Sequence, residues 1–202
     1  AEGQRDEQHL AAFAPAEEDV GAAEADGGRD DGFDPVAGGR QGAEALEDGA
    51  RVRVFAEATS VRIGFRVFAR HSEAGRMEIE VLDGAGHRPV RIVLGEDGRV
   101  RASDGAGQVD AGPFLAGRWY QAELSINAAT GRYDLSWDGR VIVRQAAFAE
   151  AVTTVERLSF CTGAFRTEPT RQTNRYGVLA DVEKPDTAVT PASYYLDEVA
   201  IK

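Results

Sequence analysis

The stretch MEIEVLDGAG, Met77 to Gly86, sets Glu78, Glu80 and Asp83 in the order acid-x-acid-x-x-acid. Two carboxylates about 5 Å apart can cleave a glycosidic bond with retention, one as nucleophile and one as acid/base, and residues i and i+2 on one strand face meet that spacing. Glu78 and Glu80 share such a face. Asp83 is five residues from Glu78, so it has the opposite parity unless a bulge intervenes, and Gly84 beside it marks a turn. Met77, Ile79 and Val81 alternate as an inward row, which puts the two glutamates outward on a solvated face. The expectation is strand and turn chemistry rather than a catalytic centre.

A second group with chemical potential lies in FRTEPTRQTNRYGVLADVEKPDT, where Arg166, Arg171 and Arg175 cluster with Tyr176 in an acidic chain. Guanidinium forks suit the carboxylate or sulfate of an acidic glycan, and a tyrosine ring stacks on a sugar face. These four residues are the candidate ligand contacts, against the alternative that salt bridges to Glu168, Asp181 and Glu183 fold the loop back on the domain. Lyase chemistry needs a cation to neutralise a uronate and a Tyr or His to take the α-proton. His71 with Arg70, or Tyr176 with Arg175, has the right residue types, but surface placement explains them as well. Trp119 and Trp137 are stacking platforms or core. Trp137 shares a strand face with Tyr133 and Leu135, which favours core. Cys161, the one cysteine, has no acid or histidine beside it in sequence and reads as an inert thiol.

These residues are carried by a chain built from short strands. ARVRVFAEA, SVRIGFRVFAR, MEIEVLD, PVRIVLG and GRVRASD follow one another, and DGAGHR and EDGR separate the last three. Asp-Gly at such junctions signals tight hairpins, because glycine accepts positive φ. In RVRVF the alternation predicts Val52 and Val54 buried and Arg51 and Arg53 exposed. RWYQAELSINAATGRYDLSWDGRVIVRQAAF reads as strand, hairpin, strand, Asp-Gly turn and strand, with Tyr120, Ala122, Leu124 and Ile126 on one face. VERLSFCTG and SYYLDEVAIK supply two more strands. No stretch sustains a helical period. The fold class is all-β, a two-sheet antiparallel β-sandwich or jelly roll.

Residues 1–48 hold 14 acids and 3 bases, while 49–202 hold 20 of each, so the whole net charge of -11 comes from the N-terminal quarter. A nucleic-acid face needs a positive excess, which this chain lacks. No segment has the ~18 apolar residues of a membrane span. Residues 1–42 read as an acidic arm with an edge strand in HLAAFAPA, and 43–202 as the folded unit, together one domain. The start at Ala1 fits a mature secreted protein.

The phrase RWYQAELSINAATGRYDLSWDGRVIV and the ending YYLDEVAI resemble the concanavalin A-like lectin/glucanase superfamily, in particular its laminin-G-like jelly-roll modules, over roughly residues 43–202. The superfamily's glucanases carry a catalytic triad with glutamates at both ends and aspartate in the middle. Here Glu80 takes the middle place and Asp83 the last. The Arg-Glu-Leu-Arg-like and Gln-Ile-His-like strands of jelly-roll polysaccharide lyases are absent. The resemblance therefore implies a secreted, bacterial carbohydrate-binding or accessory module, part of or partnered with a larger extracellular enzyme. A polysaccharide lyase, a glycoside hydrolase or an adhesion domain of the same fold are the alternatives. It also implies a structural calcium ion at Asp197, with partners among Glu17, Glu18, Asp31 and Asp34.

Overall fold

The computed structural model describes residues 43–47, 49–163 and 190–202, and the backbone of 172–173 and 179–180. The expected N-terminal arm lies outside the described residues, as do Arg166, Arg171, Arg175 and Tyr176.

The strands are β1 (Glu44–Leu46), β2 (Gly49–Ala58), β3 (Ser60–Ala69), β4 (Met77–Leu82), β5 (Val90–Leu94), β6 (Arg99–Asp104), β7 (Gly107–Pro113), β8 (Trp119–Asn127), β9 (Arg132–Trp137), β10 (Arg140–Ala147), β11 (Val155–Thr162), β12 (Gln172–Thr173), β13 (Leu179–Ala180) and β14 (Tyr194–Ile201). Two six-stranded sheets form the sandwich, ordered β1-β14-β3-β8-β9-β10 and β2-β11-β4-β5-β6-β7, and β12 and β13 pair separately. Every pairing is antiparallel.

Alternation explains the core. Ile63, Phe65 and Val67 of β3 and Met77, Ile79 and Val81 of β4 are fully buried between the sheets. The Phe65 and Phe160 rings meet edge-on at 5.2 Å, joining the two layers. Tyr120, Ala122, Leu124 and Ile126 are buried in one row, as are Tyr133, Leu135 and Trp137, as their spacing predicts. Tyr133 sits deep enough that burial pushes its phenol up to about 12, and it donates to the Ser103 carbonyl of the opposite sheet.

The Asp-Gly signals mark real turns. Trp137 pairs with Arg140, and Asp138 and Gly139 between them have φ of 48° and 76°, the double positive φ of a type I′ hairpin. Asp83 accepts from the His87 backbone N–H at 2.7 Å and meets His87 Nδ1 at 2.6 Å, closing the turn after β4. Asp83 is thus a turn residue.

Two expectations fail. Neither row of β2 is buried: Arg51 and Arg53 are exposed as expected, but Val52 is 53% and Val54 71% exposed as well. Register decides this, because Arg51 and Arg53 stand opposite the core residues Phe160 and Leu158, whereas Val52 stands opposite Ser159. As an edge strand, β2 meets the other sheet's polar edge there, and Arg53 donates to Glu44 at 3.0 Å. Strand β7 has no counterpart in the sequence reading, because GQVDAGP lacks an alternating row of large apolar residues.

Candidate functional site

The side chains with most chemistry stand on the outer face of the β2–β7 sheet. Glu78 and Glu80 do point away from the core, but they are not solvated: they are 7% and 5% exposed. Arg76 donates to Glu78 Oε1 from Nε at 2.8 Å and from Nη2 at 2.6 Å, while Arg91 Nη2 donates to Oε2 at 2.8 Å. Arg91 Nε and Arg88 Nη1 stand 3.3 and 3.4 Å from Glu80 Oε1. At those distances the charges attract, yet neither Glu80 Oε1 nor Arg91 Nε has a well-directed hydrogen bond among the described residues.

Strand pairing assembles this cluster. Arg91 of β5 lies directly opposite Glu80, and Ser159 and Cys161 of β11 flank Glu80 and Glu78 on the other side. Aliphatic arginine stems cover the carboxylates while the guanidinium groups bind them. The local alternation gave the correct face, and only the cross-strand register supplied the lid.

The two glutamates titrate apart. Burial alone would raise Glu78, but the charges and hydrogen bonds of Arg91 and Arg76 outweigh it and hold the group below its ordinary value. Burial raises Glu80, the Glu78 charge adds to that, and Arg88 and Arg91 offset only part. Such a split is what an acid/nucleophile pair needs. Here, however, both oxygens of Glu78 are taken up by arginine, so the arrangement works as an ion network that fixes three guanidinium groups on the sheet surface.

The remaining sequence candidates scatter. Cys161 is half-buried, its thiol is pushed up by burial, and its Sγ lies 3.4 Å from Ser159 Oγ, which suits an inert thiol. His71 is exposed, outside the Glu78 cluster. Asp197 faces Arg66 across the β14–β3 ladder and accepts from the Glu198 N–H at 2.8 Å. It lines a hollow of about 120 Å³ with Glu44 and Glu198, both of them matched by arginines: Arg51 and Arg53 at Glu44, Arg66 at Glu198. Among the described residues no group of three or more His, Cys, Asp and Glu suits a metal. The described neighbours of Asp197 do not by themselves complete a calcium site, and the acidic ligands expected with it, Glu17, Glu18, Asp31 and Asp34, lie outside the described residues.

The outer face of the other sheet is built differently. Phe68, Trp119 and Tyr195 form an aromatic group with centroid separations of 5.5 and 5.9 Å, and Arg66 lies over the Trp119 ring at 5.1 Å. Trp119 is half-buried, whereas Trp137 packs in the core 5.1 Å from the Tyr120 ring. The two tryptophans thus divide between surface and core.

The two six-stranded antiparallel sheets form a jelly-roll sandwich of the concanavalin A-like type. The sequence model of the family described as "Sialidase-like, CBM domain" matches residues 47–176, more than half of the chain, and the chain belongs to that family. Among solved structures a sialidase is similar at 25% identity and a TM-score of 0.63, over 79% of this chain and 15% of that one. The alginate lyase AlyC3 is similar in fold at 7% identity and a TM-score of 0.51, over 79% of this chain and 74% of that one. No curated protein matches in sequence. The chain is a carbohydrate-binding-module-like domain, and it spans 15% of the sialidase's length.

Proposed function

We propose that this domain is a secreted bacterial carbohydrate-binding module that holds an acidic glycan for a glycan-degrading enzyme, on the outer face of the β2–β7 sheet. The observation that carries it is membership of a binding-domain family together with a likeness confined to a small fraction of a sialidase, the relation of a module to a multidomain enzyme. A sialidase acts on carboxylate-bearing sugars, and arginine clusters recognise carboxylates by paired N–H donors. Arg76, Arg88 and Arg91 already hold such donors in place on that face, and Arg166, Arg171, Arg175 and Tyr176 follow β11 in the sequence as the proposed ligand contacts. Within this reading the fold is a laminin-G-like subtype, and Asp197 holds a structural calcium ion with acids of residues 1–42.

Affinity electrophoresis through gels carrying sialylated, uronate-bearing and neutral polysaccharides tests the reading. Retardation by the acidic polymers supports it, and unchanged migration in every gel overturns it. Running the same gels with EDTA checks the calcium ion, which is absent if neither mobility nor melting temperature changes.

A further inference from the structure

A second polar recess lies on the opposite sheet. It has a volume of about 320 Å³, at the lower end of the ~300–1,000 Å³ typical of small-molecule sites, and its polar lining includes Arg62, Asn127, Thr130, Arg132, Asp134 and Gln145. Register assembles it: Asn127 pairs with Arg132 and with Ser60, and Ser125 pairs with Asp134 and with Arg62, so the polar side chains of β3, β8 and β9 stand on one face.

The wall on β10 is specially made. The β9–β10 register shifts between Val143 and Ala146, and Gln145 within that bulge has φ of 51°, a left-handed conformation that costs a residue with a Cβ on the order of 1–3 kcal/mol. Asp134 holds it there, accepting from Gln145 N at 2.6 Å and from Nε2 at 3.2 Å. Arg132 Nη1 donates to the Gln145 carbonyl at 2.9 Å. Asn127 Oδ1 accepts from Thr130 N at 3.1 Å, which turns its amide NH₂ away from that bond. Strain stored next to a recess and braced by two side chains is a feature of binding sites.

The charges within it do not cancel. Among the described residues Asp134 is the one carboxylate lining the recess and is engaged by Gln145, while the guanidinium of Arg62 has no ion pair among them. Two arginines and an amide NH₂ therefore converge with hydroxyl and amide oxygens, a donor-rich set for a ligand with one negative charge and several hydroxyls.

We infer that this recess binds a single anionic sugar unit, its carboxylate or sulfate between Arg62 and Arg132 and its hydroxyls toward Asn127 and Gln145. The domain then has two separate glycan contacts, on opposite sheets, and can bridge chains or gain avidity on a polymer. The inference goes beyond the proposed function and does not depend on the Arg91 face.

The test is a titration followed by amide chemical shifts, with N-acetylneuraminic acid, glucuronic acid, galactose 6-sulfate, neutral galactose and inorganic sulfate as separate probes. The expected result is saturable shifts at Asn127, Thr130 and Gln145 with one or more of the anionic sugars and none with galactose. Comparing the carboxylated and sulfated arms identifies the anion. Exposed Arg62→Gln and Arg132→Gln should each weaken binding about tenfold or more, as expected for loss of a charge-assisted hydrogen bond. An unchanged spectrum elsewhere shows that the fold is kept. Absence of shifts at these amides with all the sugars, equal shifts with galactose, or shifts with inorganic sulfate alone (an adventitious ion only) overturns the inference. Loss of polysaccharide retention on the other sheet leaves these amide shifts untouched, so the two readings fail independently.

Discussion

On the outer face of the β2–β7 sheet, five charged groups are packed together and matched: Arg91 bonds Glu78 and closes on Glu80, with Arg76 and Arg88 at the sides. On the outer face of the β1–β10 sheet charge is spread out: Arg66, over the Trp119 ring, is matched by Glu198, while Arg62 and Arg132 at the far end are exposed. The strands are similar in length and both faces carry arginines, so composition does not separate them. What separates Arg91 from Arg62 is whether an acid stands across the ladder. Arg91 has Glu80 as its direct Cα partner, whereas Arg62 has Ser125. A matched face holds its guanidinium groups rigidly against its own carboxylates, and an unmatched one leaves them exposed to solvent.

The largest effect that tests this contrast is expected at Arg91. Arg91→Ala leaves two buried carboxylates without their shared partner and should cost about 3–5 kcal/mol of unfolding free energy in urea titrations. Arg62→Ala, on the exposed face, should stay within about 0.5 kcal/mol of the parent by the same measurement. Equal losses at the two positions would erase the distinction between the faces.

The glutamates sharpen it with opposite signs. Glu78 is held below its ordinary value near 4.5, so its charged form stabilises the fold above that value, and the contribution is lost as pH falls through the lowered folded value. Glu78→Gln should cost about 1–3 kcal/mol at pH 7 and converge on the parent in acid. Glu80 is raised, so its stabilising contribution is full below its ordinary value and is lost as pH rises through the raised folded value. Glu80→Gln should be neutral or more stable by up to about 1 kcal/mol at pH 7, and should converge on the parent below pH ~4.5. Parallel pH-stability curves for the two variants would show that the ion network does not divide the pair.

An effect well below that at Arg91 belongs to the aromatic end. Trp119→Ala removes a half-buried ring touching Phe68 and Arg66 and should cost about 1–2 kcal/mol, read as a lowered urea midpoint. A loss as large as that at Arg91 would mean that the second face is held together as tightly as the first.

Much of the architecture was legible in the residues themselves. Alternation located the inward rows of β4, β8 and β9, and Asp-Gly pairs located the hairpins, because side-chain parity and positive φ are local properties. Asp83 was legible as a turn residue for the same reason. Val52 and Val54 were misread because alternation says that two faces differ, not whether either one meets the core. The arginine lid over Glu78 and Glu80 was missed because Arg91 is more than ten residues away and meets them only across the ladder.

The sequence by itself determined an all-β chain, its turns, its acidic N-terminal quarter and the inward rows of β4, β8 and β9, since each depends on residue type and spacing of near neighbours. The tertiary structure alone decided that Glu78 and Glu80 are sealed under arginine, that Trp119 joins Phe68, Tyr195 and Arg66 on an outer face, and that Arg62, Arg132 and a strained Gln145 surround one recess. Those outcomes depend on which strands pair and in what register. Many sequences with this alternation can share a sandwich while placing different side chains opposite one another.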